Sequence, residues 1–356
     1  MLQYAMHDLI QRELLNLLPP HKKTSNKWIS FNAVCCPHSG ESADTRKRGG
    51  ALPNLDGSVT YHCFNCGFKT GFYPGRPMNF KFRKLLGWMG ADPNTIQRLV
   101  MEAMRIKELV PVEERAPAPE VEVTYKPRPL PEDSASFTQW TTMLRLTDED
   151  YVVPAQLVNA VEYVSSRKID MSKYDFYITD ESSYNLDKRL IIPFTWNNKI
   201  IGYTARALVD GIKPKYHNSH DGNYVFNIDK QLDDARFVVV AEGPFDAMAI
   251  DGVAILGNEC SETQAEIVES LGRDVIVVPD FDRHIDKRGQ EVWPGMMLIE
   301  KAIEYSWGVA FPVWRDDPEC KDVASAVEKY GKLFVLKSII DSVERNPVKI
   351  RLRCKQ

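Results

Sequence analysis

The chain has 356 residues, 44% hydrophobic and 26% charged, which is enough for two or three domains with real cores. No apolar run approaches the roughly 20 residues that span a bilayer, and the opening MLQYAMHDLIQRELL lacks the hydrophobic stretch of a secretory signal, so an intracellular protein with no membrane partner is expected. The net charge is −4, yet residues 20–90 carry 11 Lys and Arg against 3 Asp and Glu, a local +8 that leaves −12 for the rest.

Residues 1–18 predict an amphipathic helix, with Leu9, Leu14, Leu15 and Leu18 at helical spacing and Pro19-Pro20 as its stop. From Trp28 to Phe72 the pattern is short strands and turns, punctuated by Gly49-Gly50, Asp56-Gly57 and Gly67, with SVTYHCF as one arm of a hairpin. Residues 79–108 predict helix. A seam follows, in which Pro111, Pro117, Pro119, Pro127, Pro129 and Pro131 sit among few large apolar residues; such a segment cannot bury a core and predicts an extended tether. Residues 150–235 predict a helix near Val158–Lys168 and strands RLIIPFTW and IIGYTARAL. From 236 onward strands (FVVVAEG, VAILG, DVIVVPDFD, VAFPVW) alternate with helices (PFDAMAIDG, SETQAEIVESLG, WPGMMLIEKAIEYSWG). Runs such as VVVA and VIVV suit strands buried on both faces, hence a mostly parallel sheet under helices.

Seven cysteines in an intracellular chain argue for metal or inert thiols rather than a disulfide framework. Cys63-x-x-Cys66 is preceded, about 25 residues earlier, by Cys35-Cys36 and His38. Two ligand pairs on neighbouring turns supply the tetrahedron that zinc needs, so Cys35, His38, Cys63 and Cys66 are the expected set, with Cys36 as the alternative to Cys35. A ribbon this short has too little core to fold alone, and zinc would supply the missing stability. Around the cysteines lie Arg46, Lys47, Arg48, Lys69, Arg76, Lys81, Arg83 and Lys84, interleaved with Tyr61, His62, Phe64, Phe68 and Tyr73. Cations neutralise phosphates and aromatic faces stack unpaired bases, which points to single-stranded nucleic acid.

A second constellation is acidic. Glu242 ends one predicted parallel strand with Asp246 just beyond it, Asp280 and Asp282 end another, and Asp322 follows the next. Chemistry gathers at the carboxyl ends of parallel strands, and alternation along an extended segment would point Asp280 and Asp282 the same way. Carboxylates within 4 Å repel by about 4 kcal/mol per pair at an effective dielectric of 20, a cost that divalent cations offset. Magnesium, or manganese, held by a few carboxylates and substrate phosphates is the arrangement for phosphoryl transfer. Arg189, Arg206, Lys213 and Lys215 precede this cluster, where cations would hold a template backbone or a triphosphate against the metals.

These clusters, in this order, resemble bacterial-type DNA primases, and among them the stand-alone primases of tailed bacteriophages. CCPH…YHCFNCGF is similar to the family's zinc motif, RLIIPFTWNNKIIGYTARAL…KPKYHNS to its basic template-groove strands, and VVVAEGPFDAMAI, VIVVPDFDR and WRDDPECKDVASAV to its acidic motifs. The likeness covers about residues 30–330. It implies an α/β chain with an N-terminal zinc ribbon linked to a primase core on a Toprim-type, mostly parallel sheet. The expected divisions are 1–90 (helix and ribbon), 91–135 (helix and Pro-rich linker), 136–235 (basic subdomain), 236–330 (Toprim domain) and 331–356 (C-terminal helix and basic tail). It also implies that Glu242, Asp280 and Asp282 are catalytic, that these with Asp246 and Asp322 bind Mg2+ or Mn2+, and that Arg189, Arg206 and Lys215 contact nucleic acid or nucleotide. Arg46, Lys47 and Arg48 are expected, from their charge beside the ribbon's aromatics, to bind nucleic acid as well. Single-stranded DNA, ribonucleoside triphosphates and a separate replicative helicase are the implied partners, in the cytoplasm (that of the host if the chain is viral). Where the family often carries a second acid two residues after Asp322, this chain has Ala324. Two rivals share parts of the pattern: a non-catalytic recombination mediator with a zinc module and a Toprim fold, and a Toprim nuclease. The full acid set and the basic core segment count against the mediator, and the ribbon counts against the nuclease, which would share the acids.

Overall fold

The computed structural model describes residues 8–23, 27–111, 123–147, 152–179, 186, 188–232, 235–285 and 289–355. The start of the predicted first helix (1–7) and the linker prolines Pro117 and Pro119 lie outside the described residues. The chain divides into two compact units, residues 1–120 with 269–273 and residues 121–268 with 274–356.

In the first unit, helix α1 (Leu9–Leu17) precedes a five-stranded antiparallel sheet in sequential order, β1 (His21–Lys23), β2 (Ile29–Phe31), β3 (Gly49–Pro53), β4 (Val59–Cys63) and β5 (Lys69–Phe72). The Asp56-Gly57 turn joins β3 to β4, with Gly57 at φ 84°, a conformation that favours glycine. Strand β4 alternates as expected, Val59, Tyr61 and Cys63 inward and Thr60 and His62 outward. The predicted helix over 79–108 is two helices, α2 (Phe80–Trp88) and α3 (Pro93–Leu109). The break has a local cause: Asp92 accepts the amides of Asn94 and Thr95, and Pro93 occupies the first helical position. Leu99, Val100, Ala103 and Ile106 of α3 join Ile10, Leu14, Phe31, Tyr61, Phe72, Phe82 and Leu85 in one core. Each such buried side chain contributes about 1.5–3 kcal/mol, so α3 is part of this unit's core.

The second unit holds two sheets. Strands β6 (Ser134–Ser136), β7 (Tyr177–Thr179), β8 (Arg189–Trp196), β9 (Lys199–Ala207) and β10 (Tyr216–Ser219) form an antiparallel sheet in the order β10-β9-β8-β7-β6, with helices α4 (Phe137–Leu146) and α5 (Ala155–Ser166) inserted between β6 and β7. Asn197 and Asn198, both at positive φ (51° and 59°), make the tight turn between β8 and β9 that an Asn-Asn pair favours. The other sheet is mostly parallel, β12 (Val253–Ala254), β11 (Phe237–Ala241), β13 (Asp274–Val277), β16 (Gly308–Ala310) and the antiparallel edge β17 (Val343–Glu344). A small hairpin of β14 (His284–Ile285) and β15 (Glu291–Val292) lies between β13 and β16 in the chain. Helices α6 (Pro244–Ile250), α7 (Glu262–Ser270, assigned to this unit up to Val268), α8 (Met296–Glu304), α9 (Val323–Tyr330), α10 (Lys332–Asp341) and α11 (Pro347–Arg353) complete the unit. Val238, Val240, Val275, Ile276 and Val277 are buried, as a parallel sheet covered on both faces requires. The predicted strand VAFPVW is shorter than expected: Pro312 follows it and Val313–Asp316 turn into a 3-10 helix.

Candidate functional site

In the first unit the sulfurs of Cys35, Cys36, Cys63 and Cys66 lie within 4.8 Å of one another. Cys35 Sγ is 3.5 Å from Cys66 Sγ and Cys36 Sγ is 3.5 Å from Cys63 Sγ, contact without a disulfide. Cys35 and Cys36 open a single 3-10 turn (Cys36–Ser39), and both sulfurs face the Cys63–Cys66 knuckle. The same turn carries His38 outward, where its ring stacks on Trp88 at 4.4 Å between centroids and 5° between planes. His38 is therefore not the fourth member of this cluster; Cys36 is, alongside Cys35 rather than in its place. Tyr61 Oη lies 3.1 Å from Cys35 Sγ and Asn65 Nδ2 donates to Cys36 Sγ at 3.5 Å. Burial pushes the Cys35 and Cys36 thiols up, as expected for protonated sulfurs crowded in a dry core.

The basic loop beside the cluster is built on Asp44. Its buried carboxylate accepts the amides of Ala33 (2.9 Å), Arg46 (2.9 Å) and Arg48 (2.7 Å) and the Arg48 guanidinium (3.0 Å). Burial alone would raise this carboxyl, but those donors bring it down to about 2. Arg48, also bonded to Asn65, is thus a tether of the loop, while Arg46 and Lys47 are exposed. Of the aromatics, Tyr61 is fully buried in the core, and the outward face carries the partly buried Trp28, His62 and Tyr73 with the exposed Phe64. Trp28 lies across Gly50, where a Cβ would meet its ring at 2.8 Å, and Tyr73 crosses Gly71 in the same way. Phe64, 66% exposed, sits 4.2 Å from the His62 ring and 6.1 Å from that of Trp28.

In the second unit, the carboxyl ends of β11 and β13 and the start of α9 open on one cleft of about 280 Å³. Glu242, Asp246, Asp280 and Asp322 line it, and Arg167, Arg206, Lys215, Tyr163 and Tyr216 line it as well. Glu242 Oε1 accepts the amide of Asp280 at 3.0 Å, and Asp246 Oδ1 accepts the amide of Ala324 at 2.9 Å. Asp322 caps α9 by accepting the amide of Ser325 at 2.7 Å. The backbone at Asp280 is held further: Trp293 Nε1 donates to Asp280 O at 2.6 Å and the Phe281 amide donates to Lys321 O at 2.8 Å. Burial pushes Glu242 up to about 7, and burial with the neighbouring Asp322 pushes Asp246 up to about 7. Asp280 rises to about 9 through burial and then through Asp246, Glu242, Asp322 and Asp282. A site that resists carrying its own negative charge calls for added positive charge.

Asp282 departs from the expected arrangement. It does not line the cleft; its carboxylate is half exposed and pairs with Lys321 Nζ at 3.5 Å. Among the described residues the cysteines are the one group of three or more such donors within 4.8 Å, so the acids face one cleft without closing into a cage. Arg206 stacks over Tyr163 (5.7 Å) and Tyr216 (4.9 Å). Burial, followed by the nearby Arg206, lowers the Lys215 ammonium. Arg189 is a correction: it is 1% exposed, and its guanidinium donates to the carbonyls of Ala205 (3.2 Å), Lys215 (3.3 Å) and Pro214 (2.8 Å), so it does not reach a ligand directly. Sequence reasoning missed Tyr163 and Arg167, which end α5 four residues apart and so share a helix face; that spacing was the available signal. Burial would lower Arg167, but Tyr163, Glu328 and Asp322 outweigh it and push it up.

No protein-family model matches the chain. Over 161 residues, 41% of the chain, it is 25% identical to the DNA primase of Aquifex aeolicus, of which the match covers 30%. The chain thus spans less than a third of that relative's length. Among solved structures, it is similar to the zinc-binding and RNA polymerase domains of Aquifex aeolicus primase (19% identity, 95% of this chain and 85% of that one, TM-score 0.40). It is also similar to the RNA polymerase domain of Mycobacterium tuberculosis primase DnaG (17% identity, 56% of this chain and 81% of that one, TM-score 0.44). The sequence match makes the chain a distant relative of a bacterial DNA primase.

Proposed function

We propose that this protein is a DNA primase, a nucleotidyltransferase that makes short RNA primers on single-stranded DNA from ribonucleoside triphosphates. The observation that carries the reading is the cleft in which Glu242, Asp246, Asp280 and Asp322 share space with Arg206, Lys215 and Arg167. Carboxylates alone would suit many cation sites, and cations alone would suit many anions. Together they suit a substrate that brings both phosphates and a metal. The four carboxylates would hold Mg2+ or Mn2+; bound there, such ions would activate a 3′-hydroxyl and neutralise a leaving pyrophosphate. Arg206, braced between two tyrosine rings, and Lys215 would bind the triphosphate, and Glu242 would orient the attacking hydroxyl or take its proton. The mostly parallel sheet is read as a Toprim domain on the same grounds.

In the first unit, four thiols that face one another, with Tyr61 and Asn65 beside two of the sulfurs, form a donor set that fits one tetrahedral zinc. The outward sheet face would hold template: Trp28 and Tyr73 close over glycines, Phe64 neighbours the His62 and Trp28 rings, and Arg46 and Lys47 supply charge. Phe64→Ala is expected to weaken binding of single-stranded DNA about tenfold, the worth of one stacked base, with unchanged zinc content and thermal midpoint because the ring is exposed. Fluorescence anisotropy with a labelled oligonucleotide checks it; unchanged affinity would remove the ring from the template surface.

Incubation with single-stranded DNA, labelled ribonucleotides and Mg2+ tests the reading as a whole. Short new RNA supports a primase. Cleavage of the DNA would replace it with a Toprim nuclease, and binding without either reaction would favour a recombination mediator.

A further inference from the structure

We propose that Arg189 is the positioning residue for Lys215, fixing that ammonium at the wall of the acidic cleft where a nucleotide's phosphates would lie; the inference deepens the primase reading and rests on it for the identity of the ligand. Arg189 opens β8 and is buried, yet its guanidinium spans the carbonyls of Ala205, on the neighbouring strand β9, and of Pro214 and Lys215, where the chain returns to form β10. The β8–β9 hairpin already has a ladder running from Arg189↔Ala207 to Trp196↔Lys199, so its pairing does not depend on this side chain. The return of the chain is a different matter. The Lys215 carbonyl accepts the Ala207 amide at 3.0 Å and Arg189 Nη1 at 3.3 Å, and Nη2 secures Pro214 at 2.8 Å. These bonds fix the backbone from which Lys215 and Tyr216 project, and both residues line the cleft with Asp280 and Asp322.

The chemistry of the side chain explains why arginine stands here. Its planar fork offers five donors at fixed angles and can bridge three carbonyls at once. A lysine keeps the charge, but its three donors radiate from one nitrogen and do not reproduce the fork in which Nη1 meets Ala205 and Lys215 while Nη2 meets Pro214. Burying a guanidinium is costly unless its donors are met, and here the carbonyls that meet them belong to the segment that presents the cleft's cations.

The test compares Arg189→Lys and Arg189→Gln with Lys215→Ala and the Arg189→Lys/Lys215→Ala double variant in the full chain. One readout is labelling of Lys215 by an amine-acylating reagent, followed by peptide mass spectrometry; the other is affinity for ATP with Mn2+. Folding is confirmed by circular dichroism and thermal midpoint. Arg189→Lys is expected to change Lys215 labelling at least threefold, to weaken ATP binding roughly tenfold, and to add nothing once Lys215 is alanine, the signature of one residue acting through another. Unchanged labelling of Lys215 in a folded Arg189 variant overturns the proposal, as do additive losses in the double variant. Failure of both Arg189 variants to fold overturns it too, since Arg189 would then serve the domain's stability. If the unaltered protein binds no ATP, it is the primase reading that fails, and the labelling result still decides the role of Arg189.

Discussion

Replacing Asp280 with asparagine is expected to reduce primer synthesis about a thousandfold or more, to leave affinity for single-stranded DNA nearly unchanged, and to make the protein more stable. The third effect separates a functional site from a structural one. In the folded chain Glu242, Asp246 and Asp280 are raised to about 7, 7 and 9, above the ordinary carboxylate range. Such groups favour folding while protonated, fully so below their ordinary pKa, and that contribution is lost as pH rises through 7 to 9. At pH 8 without divalent ions Asp280 therefore costs a few kcal/mol, and the neutral isostere removes the cost. The thermal midpoint of Asp280→Asn should exceed that of the unaltered protein at pH 8 by about 5 °C and match it more closely at pH 5. Added Mg2+ should raise the midpoint of the unaltered protein more than that of the variant. Calorimetry at the two pH values checks this, and an unchanged or lower midpoint at pH 8 would mean that Asp280 is not held against its own charge.

The second large effect concerns the cysteines. Cys36→Ser is expected to abolish zinc retention and to unfold the first unit, because structural zinc supplies roughly 10–16 kcal/mol of apparent binding energy to a domain with a modest core. His38→Ala should keep one zinc per chain and lose only its stack on Trp88, worth about 1 kcal/mol. Elemental analysis of the purified variants, with circular dichroism before and after chelation, distinguishes them. Zinc loss in His38→Ala with retention in Cys36→Ser would reverse the assignment. The two experiments are complementary, since one removes a charge the fold resists and the other a donor the fold requires.

Much of this was legible in the sequence, for identifiable reasons. Continuous apolar runs have few homes other than a covered parallel sheet, so VVVA and VIVV put Glu242 and Asp280 at the ends of two parallel strands; that the two strands are neighbours is the sheet's own contribution. What remained hidden was side-chain direction. Spacing favours Cys35 and His38 as a ligand pair, but the 3-10 turn at Pro37 lets adjacent cysteines face one centre and swings the histidine away. Strand alternation predicted parallel roles for Asp280 and Asp282, yet β13 ends at Val277 and the segment beyond is no longer extended in a ladder. Arg189 was singled out for its charge, but burial turned that charge toward carbonyls. Tyr163 and Arg167 were passed over because their value depends on a cleft built by residues more than 35 positions away.

The clamp on Asp280 has a consequence for how this chain can vary. Its amide is held by Glu242, its carbonyl by the Trp293 indole, and the next amide by Lys321. The acidic centre is thus anchored from both flanks of the β14–β15 hairpin rather than through it. That hairpin should tolerate insertion, trimming or fusion of a foreign segment with little change at the cleft, and it is where divergence among relatives would accumulate at least expense to chemistry.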